Sequence, residues 1–105
     1  MQQNVVTEIV EFRIVPGISD EMFERIVNDL ETNFHSKQSG FIDTELVKGK
    51  EENQWVMIQH WASLEEAKEV SKMMFKTPVT EEFRQAVDPA EVKLSIFKQV
   101  KTWQL

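Results

Sequence analysis

The chain has 105 residues, no cysteine, and 18 acidic against 12 basic side chains, for a net charge of -6. That length allows one modest core, expected as a single domain over residues 1–105, and the lack of cysteine excludes a disulfide framework, a thiolate nucleophile and an iron-sulfur site. An acidic balance argues against nucleic acid as partner, and with no apolar run near the roughly 18 residues of a membrane span and no leader-like start, a cytoplasmic protein without membrane contact is expected.

Val5 to Val15 is rich in β-formers, with Val6, Val10, Phe12 and Ile14 on one face and Val5, Ile9 and Val15 on the other. This pattern predicts a strand buried from both sides. Pro16-Gly17 ends it, Ser19 is placed to cap a helix, and Asp20 and Glu21 suit its positive end. Phe23, Ile26, Val27, Leu30 and Phe34 recur at three and four, predicting an amphipathic helix of about five turns that stops before Gly40. Phe41 to Lys48 reads as a more polar strand, nearer an edge, and Lys48 to Asn53 as a hairpin connection.

Gln54 to Trp61 is the second two-faced strand, with Trp55, Met57 and Trp61 on one side and Val56 and Ile58 on the other. Ser63 and Glu66 form a capping box that opens a helix carrying Leu64, Ala67, Val70 and Met74 on one face and ending before Pro78. Thr80 to about Val87 predicts a short helix capped by Thr80, with Phe83 and Val87 inward. Glu91 to Trp103 predicts a fourth strand, with a phase change near Ile96 and Phe97 that suggests a bulge.

The order β-α-β-β-α-(short α)-β is the ferredoxin-like α+β arrangement, a four-stranded antiparallel sheet with the first and third strands central. Two helices cover one face of such a sheet, yet the central strands are apolar on both. A second copy packed through the sheet face away from the helices is the expected cover.

Pro16-Gly17, Gly40-Phe41-Ile42, Trp61-Ala62-Ser63 and Glu66-Ala67 together resemble the antibiotic biosynthesis monooxygenase-like family of the dimeric α+β barrel superfamily. The resemblance implies a homodimer whose two sheets form a barrel, and a pocket in each subunit between sheet and helices. It also implies cofactor-independent oxygenation of a small aromatic or quinone-like compound, with a non-catalytic dimeric protein binding a small apolar or aromatic ligand as the alternative. A haem-degrading branch uses an Asn on the first strand, and a Trp and a His on or just after the second helix. Val10, Val70 and Val79 or Thr80 stand at those positions here, which disfavours a haem-handling role.

His60, beside Trp61 on a central strand, is the side chain singled out as a catalytic base, since imidazole titrates near neutrality. The competing reading makes it a hydrogen-bonded wall of a core or interface. Trp61, Met57, Gln59, Met74 and Phe83 are the expected pocket residues; plain core packing is the alternative for the apolar ones. Glu8, Glu11 and Gln59 are polar positions within strands, assigned to solvent or interface contacts ahead of the pocket. His35, near the polar end of its helix, is expected in solvent. No cofactor and no metal are expected, because the sequence has neither a histidine-carboxylate ligand motif nor a glycine-rich phosphate loop.

Overall fold

A computed structural model of the chain describes residues 4–105. Strands β1 (Val6–Arg13), β2 (Phe41–Lys48), β3 (Gln54–Trp61) and β4 (Lys93–Lys98) form one antiparallel sheet in the order β2-β3-β1-β4. The two-faced strands are indeed central, as their composition required. Helices α1 (Asp20–Asn33), α2 (Leu64–Met74) and α3 (Glu81–Ala86) complete the ferredoxin-like α+β fold.

Register decides which side chains share the helix-covered face. Val6, Glu8, Val10 and Phe12 of β1 lie opposite Trp61, Gln59, Met57 and Trp55 of β3. Phe12, Trp55, Met57 and Trp61 are buried there with Phe23, Ile26, Val27 and Leu30 of α1 and Ala67 and Val70 of α2. Phe23 has no exposed surface and sits 5.1 Å from the Trp55 ring and 5.8 Å from Phe12. The other face carries Ile9, Val56, Ile58 and His60, which are half-buried without cover.

Ser19 caps α1, its hydroxyl accepting from the Met22 amide at 3.1 Å. The helix is shorter than its periodicity suggested, 14 residues, because Phe34 leaves helical geometry (φ -127°, ψ -67°) as its ring enters the core. Thr32 and Asn33 just before it are weak helix formers and offer little resistance. The chain then tightens into a 3-10 turn over His35–Lys37.

Ser63 caps α2 by accepting from the Glu66 amide at 3.2 Å. The Glu66 carboxylate takes the hydroxyls of Ser63 and Ser39 at 2.9 and 2.6 Å, and these bonds hold its pKa below the ordinary carboxylate range. It lies against Gly40, where φ is +85° and a Cβ would sit 2.4 Å from the Glu66 carboxyl carbon. Glycine is therefore demanded there twice, by the backbone and by the space.

Three expectations for the C-terminal third need correction. Thr80 does not cap α3; its hydroxyl donates instead to the Met74 and Thr77 carbonyls, since a 3-10 turn over Pro78–Thr80 feeds directly into the helix. Pairing of β4 with β1 is unbroken, so Ile96 and Phe97 mark no bulge: consecutive apolar residues serve the two faces. The register shift lies between Phe41 and Asp43 on β2. The fourth strand also ends at Lys98, leaving Val100 and Trp103 exposed.

Candidate functional site

A cavity of about 390 Å³ lies between the helix-covered face of the sheet and helices α2 and α3. The sheet contributes Glu8, Val10 and Phe12 from β1, Met57, Gln59 and Trp61 from β3, and Leu94 from β4. Val70, Ser71 and Met74 of α2 and Phe83, Arg84 and Val87 from α3 and its end form the opposing wall. Exposed Phe75 and Val92 stand at its margin. The volume falls in the range of small-molecule sites, roughly 300–1,000 Å³, and the walls are mainly apolar with a few polar groups.

Those polar groups are organised. Thr44, Gln59 and Glu8 occupy one register row across β2, β3 and β1, all facing the helices. Gln59 donates to the Thr44 hydroxyl at 3.0 Å. Glu8, 4 % exposed, accepts from Trp61 Nε1 at 3.1 Å and from the Ser71 hydroxyl at 3.3 Å. Burial pushes its pKa up, only partly offset by the two hydrogen bonds and the nearby His35.

His35 is 3 % exposed and lines the cavity. Its ring is edge-on to Trp61, at 6.0 Å between centroids, and stacks on Phe41 at 6.1 Å. The Glu31 carboxylate, one turn earlier on α1, hydrogen-bonds His35 Nδ1. With the proton on Nδ1 donated to Glu31, the imidazole keeps Nε2 free to accept. The expectation of a solvent-exposed His35 is thus overturned: the 3-10 turn folds its ring beneath Trp61, whereas a continued helix would have carried it outward.

Trp61, Met57, Gln59, Met74 and Phe83 all line the cavity. His60 does not. Alternation along β3 sends it to the opposite face, where its Nδ1 pairs with Asp43 Oδ1 at 2.7 Å. Glu8, expected at solvent or an interface, instead faces the cavity, because it lies opposite Gln59, which shares the alternation phase of Trp61.

Trp55 packs on Phe23 outside the cavity, and Trp103 is exposed with Lys101 over its ring. Val70 is a cavity wall, and Thr80 spends its hydroxyl on backbone carbonyls, so neither supplies the aromatic or ligating group of the haem-degrading pattern. Among the described residues no three histidine or carboxylate side chains gather as a metal ligand set, and no helix is long and apolar enough to cross a membrane.

Residues 5–88 match the antibiotic biosynthesis monooxygenase family. Among solved structures, SnoaB, a cofactor-independent oxygenase from Streptomyces nogalater, superposes with a TM-score of 0.73 at 18 % identity, covering 94 % of this chain and 96 % of that one. A Bordetella bronchiseptica protein whose name carries the same family gives 0.77 at 13 % identity, over 94 % and 100 % of the two chains. A conserved protein from Methanosarcina mazei Go1 gives 0.68 at 13 %, over 93 % and 95 %. At such identities the likeness is one of fold. By sequence, no curated protein matches the chain.

Proposed function

We propose, for a chain that belongs to the antibiotic biosynthesis monooxygenase family, that it oxygenates a small aromatic or quinone-like compound without a cofactor and that His35 is its base. The supporting observation is a carboxylate-backed imidazole on the wall of a mainly apolar cavity. A substrate of the anthrone kind carries a methylene whose deprotonation gives an electron-rich carbanion. His35 Nε2 accepts that proton, and Glu31 stabilises the imidazolium. The carbanion passes one electron to dioxygen, and the resulting radical pair joins in a carbon-oxygen bond. The imidazolium protonates the terminal oxygen of the resulting peroxide, and the freed His35 Nε2 then takes the second methylene proton as the O–O bond cleaves, leaving a carbonyl and a hydroxide that receives that proton as water. Methylene plus O2 thus becomes carbonyl plus H2O.

Oxygen uptake with anthrone tests this reading. The protein should consume one O2 per anthrone and yield the quinone, and His35→Asn should not. Uptake no faster than in buffer would refute it and leave the non-catalytic ligand-binding alternative.

For the assembly, the reading is a homodimer through the outer sheet face. Ile9, Val56 and Ile58 lie at its centre and Phe97, 54 % exposed, at its β4 side. At roughly 25 cal/mol per Å², removing such a surface from water is a strong drive to self-association.

A further inference from the structure

We propose that the ligand of this cavity is an aromatic acid whose carboxylate is held by Arg84. The inference rests on the cavity being the ligand site, but not on oxygenation taking place there.

The chain has three arginines. Arg13 pairs with Glu51, and Arg25 with Asp29 and Glu82, all at the surface. Arg84, half-buried in the cavity wall, forms no ion pair among the described residues. Its Nε donates to the Thr80 hydroxyl at 3.0 Å and one terminal nitrogen reaches the Thr77 carbonyl at 3.4 Å. Thr80 is itself fully buried and locked to the Met74 and Thr77 carbonyls. These bonds fix the guanidinium plane while leaving most of its five N–H donors uncommitted. A partly desolvated cation without a counter-charge is costly, and a carboxylate arriving on its fork is the partner whose geometry fits.

The remaining walls define the rest of the ligand. Phe12, Phe83 and Trp61 offer ring surfaces for a flat apolar body. The polar groups come from different walls: Glu8 and the Trp61 indole N–H from the sheet, Arg84 from α3, whose chain leads to Val87 bridging Ile14. A ligand with its acid at Arg84 therefore presents its other end toward the Glu8 and His35 cluster.

Calorimetric titration of the full chain under anaerobic conditions, with 6-hydroxy-2-naphthoic acid and its methyl ester at pH 7.5, tests the assignment. The acid should bind about tenfold tighter than the ester or more. In Arg84→Gln that preference should vanish while ester affinity stays, showing an intact cavity. Should the Gln variant lose the ester as well, Arg84→Lys decides: a weakened preference supports the assignment and an unchanged one overturns it. Equal binding of acid and ester by the wild type, a preference surviving in Arg84→Gln, or no binding of either probe would also overturn it. Because the measurement excludes oxygen, a failed oxygenation assay and a failed binding assay remain distinct results.

Discussion

Trp61 donates its indole N–H to Glu8 across 3.1 Å, joining the two central strands through a buried carboxyl on the cavity wall. The bond gives Glu8 a fixed orientation that a carboxyl among apolar side chains would otherwise lack.

Glu8 carries a raised pKa, so between its unfolded and folded values the folded state holds more protons than the unfolded one. Stability from this group is therefore full at low pH and is lost as pH rises through that window. Glu8→Gln removes the slope. The melting temperature of the variant minus that of the wild type should climb from the ordinary carboxyl range upward and level off once Glu8 ionises in the folded protein. Thermal denaturation from pH 4 to 8 measures it; a difference that shrinks with rising pH would contradict the burial account.

The Glu31–His35 pair makes a kinetic prediction. Loss of a general base costs about 10² to 10⁴ in rate, so His35→Asn should lower kcat for anthrone oxygenation by that factor. Glu31→Gln should lower it less, since it removes the imidazolium's counter-charge but not the base. His60→Asn should leave kcat unchanged, because His60 lies on the other face of the sheet. A His60 variant losing activity while His35→Asn keeps it would reverse the assignment.

Ile58 sits at the middle of the outer face, half-buried already in the single chain. Ile58→Asp leaves the helix-covered core untouched and should yield a folded monomer. An unpaired charge in a dry interface costs about 3 kcal/mol, roughly a hundredfold in dissociation constant. Sedimentation velocity at micromolar concentration reads the result. A monomeric wild type, or an Ile58→Asp protein as dimeric as the wild type, would rule out this interface.

The segment from Pro78 to Glu91 consists of two 3-10 turns around a six-residue helix, too short to be stable alone. It forms the α3 side of the cavity through Phe83 and Arg84. Amides of Glu81–Ala86 should exchange with solvent faster than those of Val56 to Gln59 in the central strand, and should slow when a ligand fills the cavity. Equal protection in the two segments would show that this cover is as rigid as the sheet.

Much of the fold was legible in the residues. Two-faced apolar runs at Val5–Val15 and Gln54–Trp61 marked the central strands, since only a strand covered on both sides needs such composition, and Ser19 and Ser63 announced both helix starts by local hydrogen bonding. The same alternation that makes Trp61 and Met57 inward residues also fixes Gln59 inward and His60 outward, so the cavity face of β3 is present in the sequence, and a base at His60 is incompatible with it. Three features lay beyond local pattern. His35 is buried because Phe34 breaks the helix to reach the core, a tertiary demand with no signal in the polar residues that follow. Glu8 meets Trp61 and Ser71 only through strand pairing and helix packing over 53 and 63 positions. Arg84 is held in the cavity wall by the Thr80 hydroxyl, which is itself bonded to the Met74 and Thr77 carbonyls, contacts that local pattern does not announce. Periodicity specifies which face a side chain takes; which faces meet, and which polar groups then share one dry space, is decided by packing at long range.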